Sequence, residues 1–262
     1  MKIPGRFILF AIFGLTLSSV AFADGTISWP PPTPPPGTNP AVFPVPRLDW
    51  LQHFQKNLDQ AKKMAAVDLV FDGDSITDFW QTTGKDVWSQ HYAKLNAIDF
   101  GISGDQTQHL LWRLQNGQVD GLHPKLIVLL IGTNNIGYAS DQVVEGIKAI
   151  IGEYQKRCPD AAILLQGIFP RGETADNPAR LKIKAINQTL APLADGKKII
   201  YLDFGDKFLQ PDGTLTKDIM PDFLHPSAKG YQIWADAIQP VIDQFFGATS
   251  LSPSSPPSPS PQ

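Results

Sequence analysis

Residues 126–135 read Leu126-Ile127-Val128-Leu129-Leu130-Ile131-Gly132-Thr133-Asn134-Asn135. The first six positions are all apolar, which is the pattern of a strand buried on both faces. Four more short apolar runs lie around it: Val67–Phe71, Ala97–Phe100, Ala162–Ile168 and Lys198–Leu202. Helical patterns separate them. Leu48, Leu51, Phe54, Leu58 and Ala61 recur at helical spacing within 48–65, and residues 107–116 and 141–157 behave alike. Asn177-Pro178 supplies an N-cap and a first-turn proline for a helix to about 194. In 227–246, Tyr231, Trp234, Ile238, Ile242 and Phe245 share one face. Alternating strands and helices predict a doubly wound α/β domain with a parallel sheet. Ligands of such sheets sit beyond the carboxyl ends of the strands, so the residues after each strand are the ones to inspect.

The rest of the chain frames this unit. It has 262 residues, 24 of them Pro, one Cys, and a formal net charge of −3. One thiol, Cys158, excludes an internal disulfide and a multi-thiolate zinc site. A slightly acidic chain has no electrostatic footprint for nucleic acid. Residues 1–23 read as a secretory signal: Lys2 and Arg6, then a mostly apolar stretch, then Ala21-Phe22-Ala23 as a small-x-small cleavage pattern. The apolar stretch is short of the roughly 20 residues of a membrane span. A secreted or periplasmic protein is therefore expected, with no stable membrane insertion once the signal is removed. Nine prolines fall in residues 30–46, so 24–46 is expected to be an extended, semi-rigid linker. The Ser/Pro run at the end makes 248–262 an expected disordered tail. The folded domain is then 47–247, long enough to bury a core without staples.

Four blocks follow the strands or come late in the chain: Gly73-Asp74-Ser75-Ile76, Gly101-Ile-Ser-Gly104-Asp105, Gly132-Thr133-Asn134-Asn135 and Asp222-Phe-Leu-His225. Each alone has a bland reading as a cap, a turn or a surface pair. Together they supply every part that acyl transfer from an ester needs. A serine hydroxyl is a weak nucleophile until a base takes its proton. His225 can serve as that base and return the proton to the leaving alcohol. Asp222, three residues away, can fix the tautomer of His225 and stabilise its cation. The tetrahedral oxyanion needs fixed donors, and the backbone N–H groups of Ser75 and Gly104 and the side-chain amide of Asn134 can provide them.

In this order the blocks resemble the GDSL/SGNH hydrolase superfamily, whose four name residues map onto Ser75, Gly104, Asn134 and His225, with Asp222 completing the triad. Wider matches are Asp99-Phe-Gly-Ile-Ser-Gly-Asp-Gln-Thr-Gln-His-Leu-Leu-Trp-Arg113, Leu114-Gln-Asn-Gly117 and Pro170-Arg-Gly-Glu173. With these the chain is similar to the catalytic α-subunits of intracellular platelet-activating-factor acetylhydrolase over about 47–247. The resemblance implies a flavodoxin-like three-layer α/β/α sandwich with a mostly five-stranded parallel sheet. It also implies metal-independent, cofactor-free catalysis on short acyl groups, often acetyl. A homodimer is left open. Asp99 stands where the family usually has Asn, and Gln81-Thr-Thr-Gly-Lys85 is longer than in the mammalian subunits. The Gly-x-Ser-x-Gly elbow of another hydrolase fold is absent, because Thr77 stands two beyond Ser75.

Other residues carry weaker expectations. His53, His91, His109 and His123 are expected on the surface or in loops; His109 and Trp112, one turn apart just after Gly104, could line the pocket but are expected to pack in the core or at the rim. Asp74 and Asp78 could read as paired carboxylates, but Asp74 is expected to stabilise the Ser75 loop. Phe79 and Trp80 are expected in the core, with Trp80 a candidate border of the acyl site. Arg171 is expected to contact either substrate or Glu173 and Asp176. The function expected is a secreted esterase acting on a small ester or an acetylated carbohydrate. A phospholipid acyl hydrolase is the alternative, and a non-catalytic binding module delivered by the proline-rich ends is the reading from another class.

Overall fold

The computed structural model describes residues 31–247, together with the backbone of Val20–Phe22 and Gly25–Ile27, which pair as a short antiparallel hairpin. The expected signal sequence lies outside the described residues apart from Val20–Phe22, and the Ser/Pro tail lies wholly outside them.

The main sheet has five strands: β1 (Leu69–Gly73), β2 (Ala97–Asp99), β3 (Leu126–Leu130), β4 (Ala162–Gln166) and β5 (Ile199–Leu202). Their order is β2-β1-β3-β4-β5 and every neighbouring pair is parallel. This is the flavodoxin-like α/β order. Its connections diverge between β1 and β3, which opens a crevice at the carboxyl ends of those strands. The reading of 126–131 holds: β3 is central and buried at all five positions.

Period-two alternation sorts the strand residues onto two cores. Val70, Ile127, Leu129, Ile163 and Leu165 face α4 (Thr107–Gln115), α5 (Ser140–Arg157) and α6 (Pro178–Leu190). Leu69, Phe71, Leu126, Val128 and Leu164 face α3 (Lys85–His91) and α7 (Ala228–Phe246). In this second layer Phe71, Trp80, Trp88, Tyr92 and Trp234 pack with ring centroids 4.8–6.4 Å apart. Each such ring buries about 150–250 Å². Cys158 is a buried free thiol, so packing of this kind carries the described fold without a disulfide. A third cluster joins α1 (Leu51–Lys63) to the loop after β2 and to α4 through Trp50, Leu51, Phe54, Ile102 and Trp112.

The helix ends follow their residues. Asn177 caps α6 by accepting from the Ala179 N–H, with Pro178 in the first turn. Ser227 caps α7 by accepting from the Gly230 N–H. The first helix starts later than 48–65 suggests, because Leu48–Trp50 form a 3-10 turn before it. Two elements have no counterpart in the apolar periodicity: α2 (Ser75–Asp78) and α3. With 4 and 7 residues they are too short to display a 3.6 period.

The end of the expected linker lies against the domain rather than away from it. Asn39 caps a 3-10 turn at Pro40–Val42, and its amide reaches the Gln142 carbonyl and Glu145 on α5. Ala41 is fully buried, its carbonyl accepts from the Thr107 hydroxyl at 2.8 Å, and the Val45 N–H donates to the Gln108 carbonyl. Proline fixes these turns at low entropic cost, and the polar backbone they bury finds partners on α4 and α5.

Candidate active site

Ser75 opens α2 directly after β1. Asp74 is its N-cap and accepts from the Ile76 N–H at 3.0 Å. Gly73 is glycine for want of space, since a Cβ there would lie 2.1 Å from the Leu130 carbonyl oxygen. The β1 end can therefore press against β3 and turn sharply. Tyr231 of α7 donates to the Ile76 carbonyl at 2.7 Å, which ties the serine turn to the helix that follows His225.

His225 reaches Ser75 across 150 residues of sequence, with Oγ···Nε2 at 2.9 Å. Its Nδ1 lies 2.6 Å from Asp222 Oδ2. An ionised carboxylate can only accept, so Nδ1 carries the proton and Nε2 is left to accept from the serine. Asp222 is fixed in turn, because its Oδ1 accepts from the N–H groups of Leu224 and His225. Burial opposes ionisation of Asp222, but the His225 N–H and ring outweigh it and hold the carboxyl below its ordinary range. Phe223 takes φ +60°, a strained value for a bulky residue, and its carbonyl is held by the Gly172 N–H.

The loop of Gly104 is fastened on both sides. Toward the serine, the Ile102 N–H donates to the Gly73 carbonyl, and the N–H and hydroxyl of Ser103 donate to Asp78 Oδ2. Toward β3, the Asn134 amide donates to the Asp105 carbonyl at 2.9 Å and the Gln106 amide to the Asn134 carbonyl at 2.8 Å. Gly104 has φ +81°, which glycine adopts freely. So Ser75, His225 and Asp222 form one hydrogen-bonded chain, and Gly104 and Asn134 sit on adjoining, mutually bonded loops.

Under this loop lies a buried ionic network. Arg113, fully buried, donates to Asp105, Asp72, Gln118 and the carbonyls of Phe100 and Gly73. Burial raises the carboxyls of Asp72 and Asp105, while the guanidinium of Arg113 acts in the opposite sense on both. Burial also pushes Asp74 up to about 7.

The remaining residues divide. Asp74 and Asp78 are each occupied with local structure rather than paired with one another. Trp80 is fully buried in the aromatic core, whereas Phe79 is not: its ring centroid lies 5.1 Å from that of His225. The signal for Phe79 was its position one helical turn after Ser75. Arg171 donates to the carbonyl and hydroxyl of Thr133 instead of pairing with Glu173 or Asp176. His109 accepts the Gln106 N–H on Nδ1 and completes the cap of α4, and burial pushes its pKa down to about 3. His91 corrects the surface expectation, since it is 4% exposed and bonded to Gln239 and Gln232 of α7. Asp99 accepts from the Gly101 N–H and from Gln81, and so ties the start of the 81–85 segment to the end of β2. Among the described residues no group of three His, Cys, Asp or Glu is placed to hold a metal ion.

Residues 71–233 match the GDSL-like lipase/acylhydrolase family. The chain belongs to that family. It is accordingly a hydrolase acting on esters, with the five-stranded α/β fold of its GDSL relatives. It is 35% identical over 228 residues to the human platelet-activating factor acetylhydrolase IB subunit alpha1, covering 82% of this chain and 97% of that one. In structure it is similar to a GDSL-like lipase from Bacteroides thetaiotaomicron, with a TM-score of 0.59 and 22% identity over 73% of this chain and 97% of the other. It is likewise similar to an acetylxylan esterase from Geobacillus stearothermophilus, with a TM-score of 0.53 and 19% identity over 68% and 96%. These two likenesses concern the fold.

Proposed function

We propose that this acylhydrolase is an exported serine esterase that cleaves short-chain esters, acetyl esters foremost, through Ser75, His225 and Asp222. The observation that carries the reading is the unbroken chain from Ser75 Oγ to His225 to Asp222, at 2.9 and 2.6 Å. His225 Nε2 takes the hydroxyl proton as Oγ attacks the ester carbonyl. The resulting oxyanion is met by the N–H groups of Ser75 and Gly104 and by the Asn134 amide. Collapse expels the alcohol, which leaves with the proton from Nε2, and an acyl-Ser75 remains. Water, deprotonated by His225, attacks this acyl-enzyme through a second oxyanion and releases the acid. Asp222 stays ionised throughout and stabilises the imidazolium that forms twice per turnover.

Export is supported by Lys2, Arg6, the apolar stretch and Ala21-Phe22-Ala23. A new N-terminus at Asp24 in material collected outside the cytoplasm is expected, and an intact Met1 there opposes it. An exported acetyl esterase meets polymers first, which favours a small ester or an acetylated carbohydrate. The 35% identity to the alpha1 subunit supports a second reading, in which a short-chain phospholipid is the substrate. Acetate release from acetylated xylan against a 2-acetyl phospholipid separates the two. The mechanism itself is tested by Ser75→Ala: hydrolysis of p-nitrophenyl acetate is expected to vanish in a variant that still unfolds cooperatively, and undiminished turnover contradicts the assignment.

A further inference from the structure

Arg47 follows directly on Pro44-Val45-Pro46 and belongs to none of the blocks that mark the family. Its Nη1 donates to the carbonyl oxygen of Ser103 at 3.0 Å. The same nitrogen lies 3.6 Å from Asp105 Oδ1, and the other side of the guanidinium is held by Asp49. Asp105 is wholly buried, and Arg113 holds its Oδ2 at 2.9 Å. The guanidinium also covers Gly104 so closely that a Cβ there would lie 2.8 Å from Nη1.

The Ser103 carbonyl and the Gly104 N–H belong to one peptide unit. In a planar trans peptide these two groups point in opposite directions. A peptide whose second residue is a glycine at φ +81° can flip with little steric resistance. A flip would turn a carbonyl oxygen, in place of an N–H, toward the oxyanion. We propose that Arg47 is a positioning residue of the oxyanion hole, which locks the 103–104 peptide by its carbonyl so that the Gly104 N–H faces the reacting ester. A cationic donor on the carbonyl also polarises the peptide and strengthens its N–H as a donor. The lock is brought to the site by the segment that docks on α4 and α5, so the end of the proline-rich stretch becomes part of the machinery. This inference rests on the serine esterase reading.

The test is steady-state hydrolysis of p-nitrophenyl acetate by the full chain carrying Arg47→Met, which keeps the aliphatic stem, or Arg47→Lys. Thermal unfolding is followed in parallel. Arg47→Met is expected to lower kcat about tenfold, less than the 10²–10³ lost when a donor is deleted outright. KM is expected to stay within about twofold, and Arg47→Lys to recover part of kcat. A folded Arg47→Met with wild-type kcat overturns the proposal. So does a rise in KM at constant kcat, because it makes Arg47 a substrate contact. If Arg47→Met does not fold, Arg47→Lys carries the test alone. One ammonium cannot bridge Asp49, Ser103 and Asp105 together, so a wild-type kcat there overturns the proposal too. Ser75→Ala in the same assay separates the two levels. An active Ser75→Ala defeats the esterase mechanism and this inference with it. An inactive Ser75→Ala beside a fully active Arg47→Met defeats this inference alone.

Discussion

Two side chains next to Ser75, Asn134 half-buried and Asp74 buried, make opposite demands. Asn134 spends one amide hydrogen on the Asp105 carbonyl, and the proposed mechanism assigns its other amide hydrogen to the oxyanion. Asn134→Ala is therefore expected to cost about 10²–10³ in kcat, or ~2.7–4 kcal/mol of barrier, with KM little changed. Saturation kinetics with p-nitrophenyl acetate checks this, and a loss confined to KM contradicts it. Asp74 has a structural cost instead. Its carboxyl is buried, Oδ2 has no hydrogen-bond partner among the described residues, and its pKa rises from 3.8 to about 7. Between those values the folded chain keeps a proton that the unfolded chain releases. This contribution to stability is thus favourable at low pH, falls as pH rises through that window, and is fully lost above it. Asp74→Asn preserves the capping oxygen and removes the titration. Its stability relative to the parent is expected to rise by a few kcal/mol between about pH 4 and pH 8, measured by urea unfolding. A pH-independent difference would show that Asp74 ionises normally.

Among the elements, the strands and long helices were legible and the short connectors were not. The run Leu126–Ile131 could be placed because burial on both faces leaves no polar position. Asn177-Pro178 and the face of Tyr231, Trp234, Ile238 and Ile242 located α6 and α7 to within a few residues. Ser75, Gly104, Asn134, Asp222 and His225 could be picked out as candidates because their residue types are the ones acyl transfer requires, each just past a strand or in the closing Asp-x-x-His. The placements of Arg47, Phe79 and the buried His91 were not legible, because they come from contacts with neighbours distant in the chain: Ser103, His225 and Gln239. The proline-rich stretch misled for a similar reason. Composition marks it as extended, but it does not show that Ala41 fills a site between α4 and α5. Thr107→Val tests that docking. It leaves the buried Ala41 carbonyl without its hydroxyl donor, a loss of about 1–3 kcal/mol, read as a lower urea midpoint at an unchanged m-value. No loss would mean that the segment is held by other contacts.

At the scale of the whole molecule, one sheet carries two chemistries on its two sides. The α7 side is an aromatic core, and the α4 side hides an ionic network in which Arg113 serves Asp72 and Asp105 beneath the Gly104 loop. Without it Asp105 would lose its buried ion-pair partner, and Asp72 would be left with the neutral donors Gln118, Tyr154 and the Gly73 N–H. Arg113→Met is therefore expected to destabilise by about 3–5 kcal/mol, measured by chemical unfolding, and a smaller effect than a typical core truncation would show that the carboxyls are neutral in the fold. In the proposed mechanism the network and the crevice at the β1/β3 divergence let five residues spread over 150 positions serve one ester carbonyl. The most direct measurement of that mechanism is covalent. The protein is treated with one equivalent of a fluorophosphonate and mapped by peptide mass spectrometry. A single adduct on Ser75 is predicted, formed far more slowly in His225→Ala. Labelling at another residue, or none in the folded protein, contradicts it.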